Sequence, residues 1–188
     1  LPPFKQYTDA IIYELSVRDF TMMNDCGFEH RGKFLGLIEE GTHLSNGGKT
    51  GLDYLKKLGV THLQLMPIGD FGTVDEDRPE AYYNWGYDPI QYSVPEGSYA
   101  TDARNPYARV LELKQMIAKL HECGFRVVMD VVYNHMIDRY KTAFEKIVPS
   151  YYFRHGKNGE LSNGSFCGND MATDKIMMRK YIIESCLR

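Results

Sequence analysis

Apolar residues recur along this chain in two rhythms, one suited to strands and one to helices. Ala10 to Leu15 (Ala-Ile-Ile-Tyr-Glu-Leu) is a short β-rich run that predicts a first strand. A polar, glycine-rich stretch follows from Thr21 to Gly51. Leu52, Leu55 and Leu58 then repeat at helical spacing, and Gly59 is placed to end that helix as a C-terminal cap. Val60 to Met66 reads as a second apolar strand, stopped by Pro67. Residues 68–104 form a long insertion. Asn105-Pro106 is a good helix start, with Asn as cap and Pro at the first helical position. Val110, Leu113, Ile117 and Leu120 mark its buried face, and Gly124 closes it. Arg126 to Tyr133 is a third strand, whose near-continuous valine content predicts burial on both faces. A second excursion, residues 136–172, precedes a helix opened by Thr173 or Asp174 and running to the end.

The order is thus strand, helix, strand, helix, strand, helix, in one unit spanning residues 1–188. Both large insertions follow a strand and precede a helix. In a (β/α) barrel the functional loops follow the C-terminal ends of strands, and this order matches it. A three-stranded doubly wound sheet shows the same order, so the pattern alone does not choose. No internal repeat or low-complexity tract is present.

Composition narrows the class rather than the function. At 188 residues, 43% apolar, 25% charged and with net charge -3, the chain has the make-up of a soluble globular domain. The acidic balance and the lack of a Lys/Arg run argue against nucleic acid as a partner. No apolar segment reaches the ~20 residues of a membrane span, and no signal-peptide pattern opens the chain; the compartment stays open. Cys26, Cys123, Cys167 and Cys186 are far apart, form no CxxC pair and read as free thiols. A start at Leu1 without methionine, and a helical pattern still running at Arg188, read as cuts.

Two segments could carry chemistry. Tyr83-Asn84-Trp85-Gly86-Tyr87-Asp88-Pro89 holds the single tryptophan of the chain. Gly86 and Pro89 keep it from being a helix, so its rings lie on a loop beside an amide and a carboxylate. Such rings either pin a loop to its core or stack on the C–H face of a sugar. In Asp130-Val131-Val132-Tyr133-Asn134-His135, alternation in a strand puts Asp130, Val132 and Asn134 on one side, with His135 just past the strand end. A carboxylate buried in a valine run requires a partner, expected to be an Arg or Lys of a neighbouring strand. Gly47-Gly48-Lys49-Thr50 is no phosphate loop, because His43 stands where the pattern requires glycine and no strand leads into it. HExxH, GxSxG and GxGxxG are absent.

Together these stretches resemble the α-amylase family of glycoside hydrolases, and within it the bacterial type I pullulanases. Residues 10–20 resemble the family's first barrel strand, and residues 59–67 its second. Asp130 to His135 is similar to the conserved region ending the third strand. Tyr83 to Pro89 is similar to the heptapeptide associated with pullulanases. Gly164-Ser165-Phe166-Cys167-Gly168-Asn169-Asp170 is similar to the segment before the third helix. The resemblance implies an incomplete (β/α)8 TIM barrel, its first three β/α units with loop insertions after strands 2 and 3. It implies cleavage of α-1,6-glucosidic linkages in pullulan, starch or glycogen-type glucans, with retention.

By residue, it implies that Tyr87 stacks under the sugar next to the scissile bond and that His135 hydrogen-bonds that sugar. Asn169 would line the pocket. Asp130 and Asn134 would support from behind, Asp130 holding the arginine that precedes the nucleophile. Trp85 and Asp88 would shape the loop. The family's nucleophile lies in a Gly-x-Arg-x-Asp type motif after the fourth strand and its acid/base Glu after the fifth. No such motif occurs between His135 and Arg188. Both catalytic carboxylates are therefore expected after Arg188, and the chain alone is expected to be inactive. The alternative is a non-catalytic α-glucan-binding module. No cofactor or metal is expected in this chain; calcium in the parent enzyme is left open. Expected partners are the α-glucan and the remainder of its own polypeptide, or a second copy through open barrel edges.

Overall fold

The computed structural model describes Leu1 and residues 4–187; Pro2, Pro3 and Arg188, the last of them the C-terminal end read above as a cut, lie outside the described residues. Among the described residues three strands form one parallel sheet in the order β1-β2-β3: β1 (Ile12–Leu15), β2 (His62–Leu65) and β3 (Arg126–Met129). Ile12 pairs with His62 and Leu15 with Leu65; His62 in turn pairs with Arg126 and Leu65 with Met129. Each pair of neighbours is joined by a helical crossover, as parallel strands require. Helix α1 spans Gly51–Leu58 and α2 spans Pro106–Glu122.

Local signals explain the helix ends. Gly59 takes φ +77°, ψ 22°, a left-handed cap that glycine adopts without strain, and its N–H donates to Leu55 O. Asn105 Oδ1 accepts from Tyr107 N (3.1 Å) and Pro106 fills the first turn. Leu52, Leu55, Met116 and Leu120 are fully buried against Leu63 and Leu65 of the central strand, with Leu15, Phe34, Leu37 and Phe125 completing the core.

Four expectations need correction. Strand β3 stops at Met129, so the predicted run to Tyr133 is half its expected length. It is not covered on both faces: Val128 is 38% and Met129 44% exposed, because β3 is an edge of this sheet rather than a central strand. On α2, Val110 faces solvent and Glu112 is buried instead, its carboxylate accepting from Thr101 N (2.9 Å) and Thr101 Oγ1 (2.5 Å). Finally, the last helix, α4, spans Ile176–Cys186 with Lys175 as its cap. Thr173 and Asp174 instead lie in a turn closed by Lys175 N donating to Ala172 O (2.9 Å).

Residues 68–104 are irregular, with two 3-10 turns and isolated bridges Gly69–Pro95 and Phe71–Pro89 closing the loop on itself. Residues 136–172 contain the short helix α3 (Ala143–Ile147) and a second small core of Met136, Phe153, Met171 and Met178. Residues 43–49 form a turn in which Leu44 N donates to Gly48 O (2.8 Å), with His43 bridged to Lys49; no strand feeds it, as the rejected phosphate loop would require. The four cysteines are free thiols, two of them exposed. No helix among the described residues is long and apolar enough to cross a membrane.

Candidate carbohydrate site

The heptapeptide loop begins where Pro67 ends β2 and is held by one asparagine. Asn84 Nδ2 lies 2.8 Å from Gly72 O, 2.7 Å from Thr73 Oγ1 and 2.7 Å from Asp88 Oδ1, sharing its protons among them. Its Oδ1 accepts from Gly86 N at 2.7 Å. Gly86 itself has φ +91° and packs on Pro67 so closely that a Cβ would stand 2.7 Å from Pro67 O. Only glycine fits that approach. Asp88, engaged by Asn84, shapes the loop as expected; burial raises its pKa, with the Asn84 hydrogen bond opposing.

The rings divide into two sets. Tyr83 points toward the segment after β1, donating to Asp19 Oδ2 (2.6 Å), with the Arg18 guanidinium 5.1 Å above its ring. Trp85 Nε1 donates to the Tyr83 hydroxyl (2.7 Å) while the indole stays 59% exposed. Tyr87 turns the other way. Its hydroxyl donates to Asp130 Oδ2 at 2.8 Å, tying the loop after β2 to the residue that follows β3. Burial, and Asp130 accepting this bond, push the Tyr87 phenol up to about 12, so it remains a donor.

Asp130 therefore has a tyrosine hydroxyl as its hydrogen-bond partner here, correcting the expected Arg or Lys of a neighbouring strand. The expectation failed because β3 ends one residue earlier, leaving Asp130 at the loop end and only half-buried. Asn134 is exposed; its carbonyl accepts from Met171 N (2.9 Å). His135 is 7% exposed, not a surface residue at a strand end. Its ring bonds the Tyr87 backbone, and burial lowers its pKa against that bond and the charges of Asp88 and Asp170. The imidazole is thus neutral near pH 7, and its buried Nδ1 has no hydrogen-bond partner among the described residues. A half-exposed ring beside a buried, neutral imidazole whose Nδ1 lacks a partner suits an uncharged, hydroxyl-bearing ligand rather than an ionic one.

Asn169 does not line this site. Its side chain is buried, with Nδ2 donating to Met136 O (2.7 Å) and Oδ1 accepting from Met136 N (3.1 Å). It borders instead a separate cleft of about 220 Å³, formed with Ile137, Asp138, Tyr140, Leu161 and Cys167. The neighbouring Asp170 accepts from Ser162 Oγ (2.5 Å), Gly164 N (2.6 Å) and Ser165 N (2.8 Å). Burial opposes ionisation there, but these donors hold the carboxyl well below the usual carboxylate range. A larger cleft of about 430 Å³ opens among Arg18, Lys33, Glu80, Tyr99 and Arg104, and it includes neither Tyr87 nor His135.

One cluster left no signal in the sequence. Carboxylate oxygens of Asp70, Glu76 and Glu96 lie within 4.8 Å of one another. Glu76 is paired with Arg109 Nη2 (2.6 Å), and Glu96 accepts from Phe71 N and Ser98 N. Burial raises both Asp70 and Glu96 to about 6, with Glu76 adding to each. The three acids are separated by residues of no common pattern, so only the folded loop brings them together.

The model of the alpha amylase catalytic domain matches residues 44–166. Similar curated proteins include a pullulanase of Bacillus subtilis, 48% identical over 98% of this chain and 26% of that protein, and the chloroplastic pullulanase 1 of Arabidopsis thaliana, 34% identical over 99% of this chain and 22% of that protein. Among solved structures, the pullulanase of Paenibacillus barengoltzii complexed with maltohexaose and alpha-cyclodextrin superposes with a TM-score of 0.96 at 56% identity, covering 99% of this chain and 29% of that one. The pullulanase of Anoxybacillus complexed with maltotriose superposes with a TM-score of 0.95 at 52% identity, over 98% and 26%. The chain spans about a quarter of the length of the curated relatives it matches.

Proposed function

The chain belongs to the α-amylase family of glycoside hydrolases, and from that membership we propose that it is the substrate-holding half of a debranching site for α-1,6 linkages in pullulan, starch or glycogen-type glucans. The parent polypeptide would build an eight-stranded barrel on the three strands described here. A full barrel takes ~250 residues. The single observation that carries the reading is the Tyr87–Asp130 hydrogen bond, which fixes an aromatic ring over the ends of β2 and β3 beside buried His135.

In this reading the face of Tyr87 stacks on the sugar next to the scissile bond. The unpartnered Nδ1 of His135, bare because the ring's one N–H is spent on the Tyr87 backbone, accepts from one of its hydroxyls once the loop shifts to admit the sugar to this buried atom. Being neutral, His135 orients without adding charge. Retention requires two carboxyl groups ~5–5.5 Å apart, one nucleophile and one acid/base. Asp88 and Asp130 are already engaged by Asn84 and Tyr87, so neither is assigned that role. The two carboxylates would come from further strands of the parent, and this chain by itself would bind glucan without cutting it.

The test is His135→Ala in the parent enzyme. Loss of one well-placed hydrogen bond, ~1.5–3 kcal/mol when charge develops on its partner, should lower kcat/KM on pullulan by roughly 10- to 100-fold. Unchanged kcat/KM would overturn the site. Release of reducing sugar by the 188-residue chain alone would overturn the division of labour.

A further inference from the structure

Phe166 combines two features that folding by itself does not reward. Its ring is 91% exposed, and its backbone φ of +61° lies in the left-handed region that side chains other than glycine and asparagine rarely enter. The strain is held by its loop. Phe166 N donates to Asn163 O (3.2 Å), Asn163 Oδ1 accepts from Gly168 N (2.7 Å), and Ser165 Oγ donates to Asn169 O (3.0 Å). Asp170 gathers Ser162, Gly164 and Ser165 from beneath. The loop therefore presents the ring on a rigid frame.

That frame is anchored at the sugar site. Both amide atoms of Asn169 clasp the backbone of Met136, the residue after His135. The three residues that follow Phe166, namely Cys167, Gly168 and Asn169, border the cleft of about 220 Å³, which Phe166 itself does not line. It is smaller than the ~300 Å³ at which pockets for whole drug-sized ligands begin, a size for one ring rather than a chain.

We propose that Phe166 is a second stacking platform for α-glucan, holding a glucosyl residue beyond the one seated at Tyr87 and His135. The inference rests on the glucan reading above and extends it to a residue outside that seat. The surroundings select the ligand class. Interfaces with protein use contiguous apolar patches, whereas this ring projects from a loop whose nearby residues in sequence, Ser162, Asn163 and Ser165, are polar. An exposed aromatic face on a polar loop, next to a cleft that Tyr140 also lines, suits the C–H face of a pyranose and its rim of hydroxyls.

Two substitutions in the full-length parent test it. Phe166→Gly removes the ring and relieves the backbone, so loss of folding does not obscure the result. Phe166→Trp keeps an aromatic face. Binding of maltohexaose by calorimetry should weaken about 5- to 10-fold in Phe166→Gly, the weight of one aromatic contact, and return to within about twofold in Phe166→Trp. On pullulan the change should fall in KM rather than kcat. Melting should hold or rise in Phe166→Gly, because glycine is at ease at that φ. Maltohexaose affinity unchanged in Phe166→Gly overturns the platform. So does a fall of several degrees in melting, which would show the ring packed against another part of the polypeptide. A wild-type parent that binds maltohexaose but leaves pullulan intact refutes the debranching reading alone, and the platform is then judged by the affinity ratio. One that binds no maltohexaose overturns both.

Discussion

Replacing Gly86 by alanine should unseat the aromatic loop, and the cost can be worked from its surroundings. At φ +91° an L-residue carries a backbone penalty of about 1–2 kcal/mol. The new methyl would stand 2.7 Å from Pro67 O, 3.0 Å from Pro67 Cβ and 3.3 Å from Phe71 Cδ1. Two of those atoms belong to a proline and cannot rotate aside, so overpacking adds roughly 1–3 kcal/mol. The sum, about 3 kcal/mol, lowers a urea midpoint by roughly 1–2 M for a domain of this size. Unfolding should be followed by far-UV circular dichroism and by the fluorescence of Trp85, the single tryptophan of the chain. If the loop detaches before the fold yields, the dichroism midpoint stays in place but Trp85 emission shifts without urea. An unchanged midpoint together with an unchanged Trp85 spectrum would refute the reasoning.

Two further predictions concern polar groups. Asn169→Ala strands both the N–H and the carbonyl of Met136 and should cost about 2–4 kcal/mol; a loss under about 0.5 kcal/mol in urea titration would mean water replaces the amide. Asp70 has a folded pKa of about 6, above its ordinary 3.8, so the folded state binds more protons and stability falls as pH rises from about 4 through 6. Asp70→Asn should flatten that fall and stabilise the protein at pH 7 by on the order of 1 kcal/mol, once solvent screening of a half-exposed group is allowed for. Equal pH slopes for the two proteins would count against the cluster.

Strand order, both helix caps and the two loops were legible in the sequence because each depends on near neighbours. Gly59 and Asn105-Pro106 act within one turn of chain, and Leu52 and Leu55 of α1 need only a shared face, although Leu58, the third of that series, is exposed. The failures lie where distant residues decide. Val110 faces solvent while Glu112 is buried with Thr101 as its partner, and a pattern of apolar residues does not show that a buried acid has a partner. β3 was overestimated because burial on both faces was inferred from valines that, at this sheet edge, remain half-covered. Asp130 was expected to pair with a residue of a neighbouring strand, but its partner lay 43 positions away in the aromatic loop. Asn169 was read from its motif as lining the pocket of Tyr87 and His135, but its amide holds the Met136 backbone and it borders a separate cleft instead.

The hydrogen bond at the far end of Tyr87 also changes how that ring meets a ligand. Anchored at Cβ by the loop and at its hydroxyl by Asp130, the ring can spin about its long axis but cannot swing away. The torsional freedom of χ1 is lost when the chain folds, not when a sugar arrives, so less entropy opposes association. The same tether makes the loop after β2 and the end of β3 move as one body. Loosening it, as in Tyr87→Phe, would leave the stacking face intact and return its swing to the binding step.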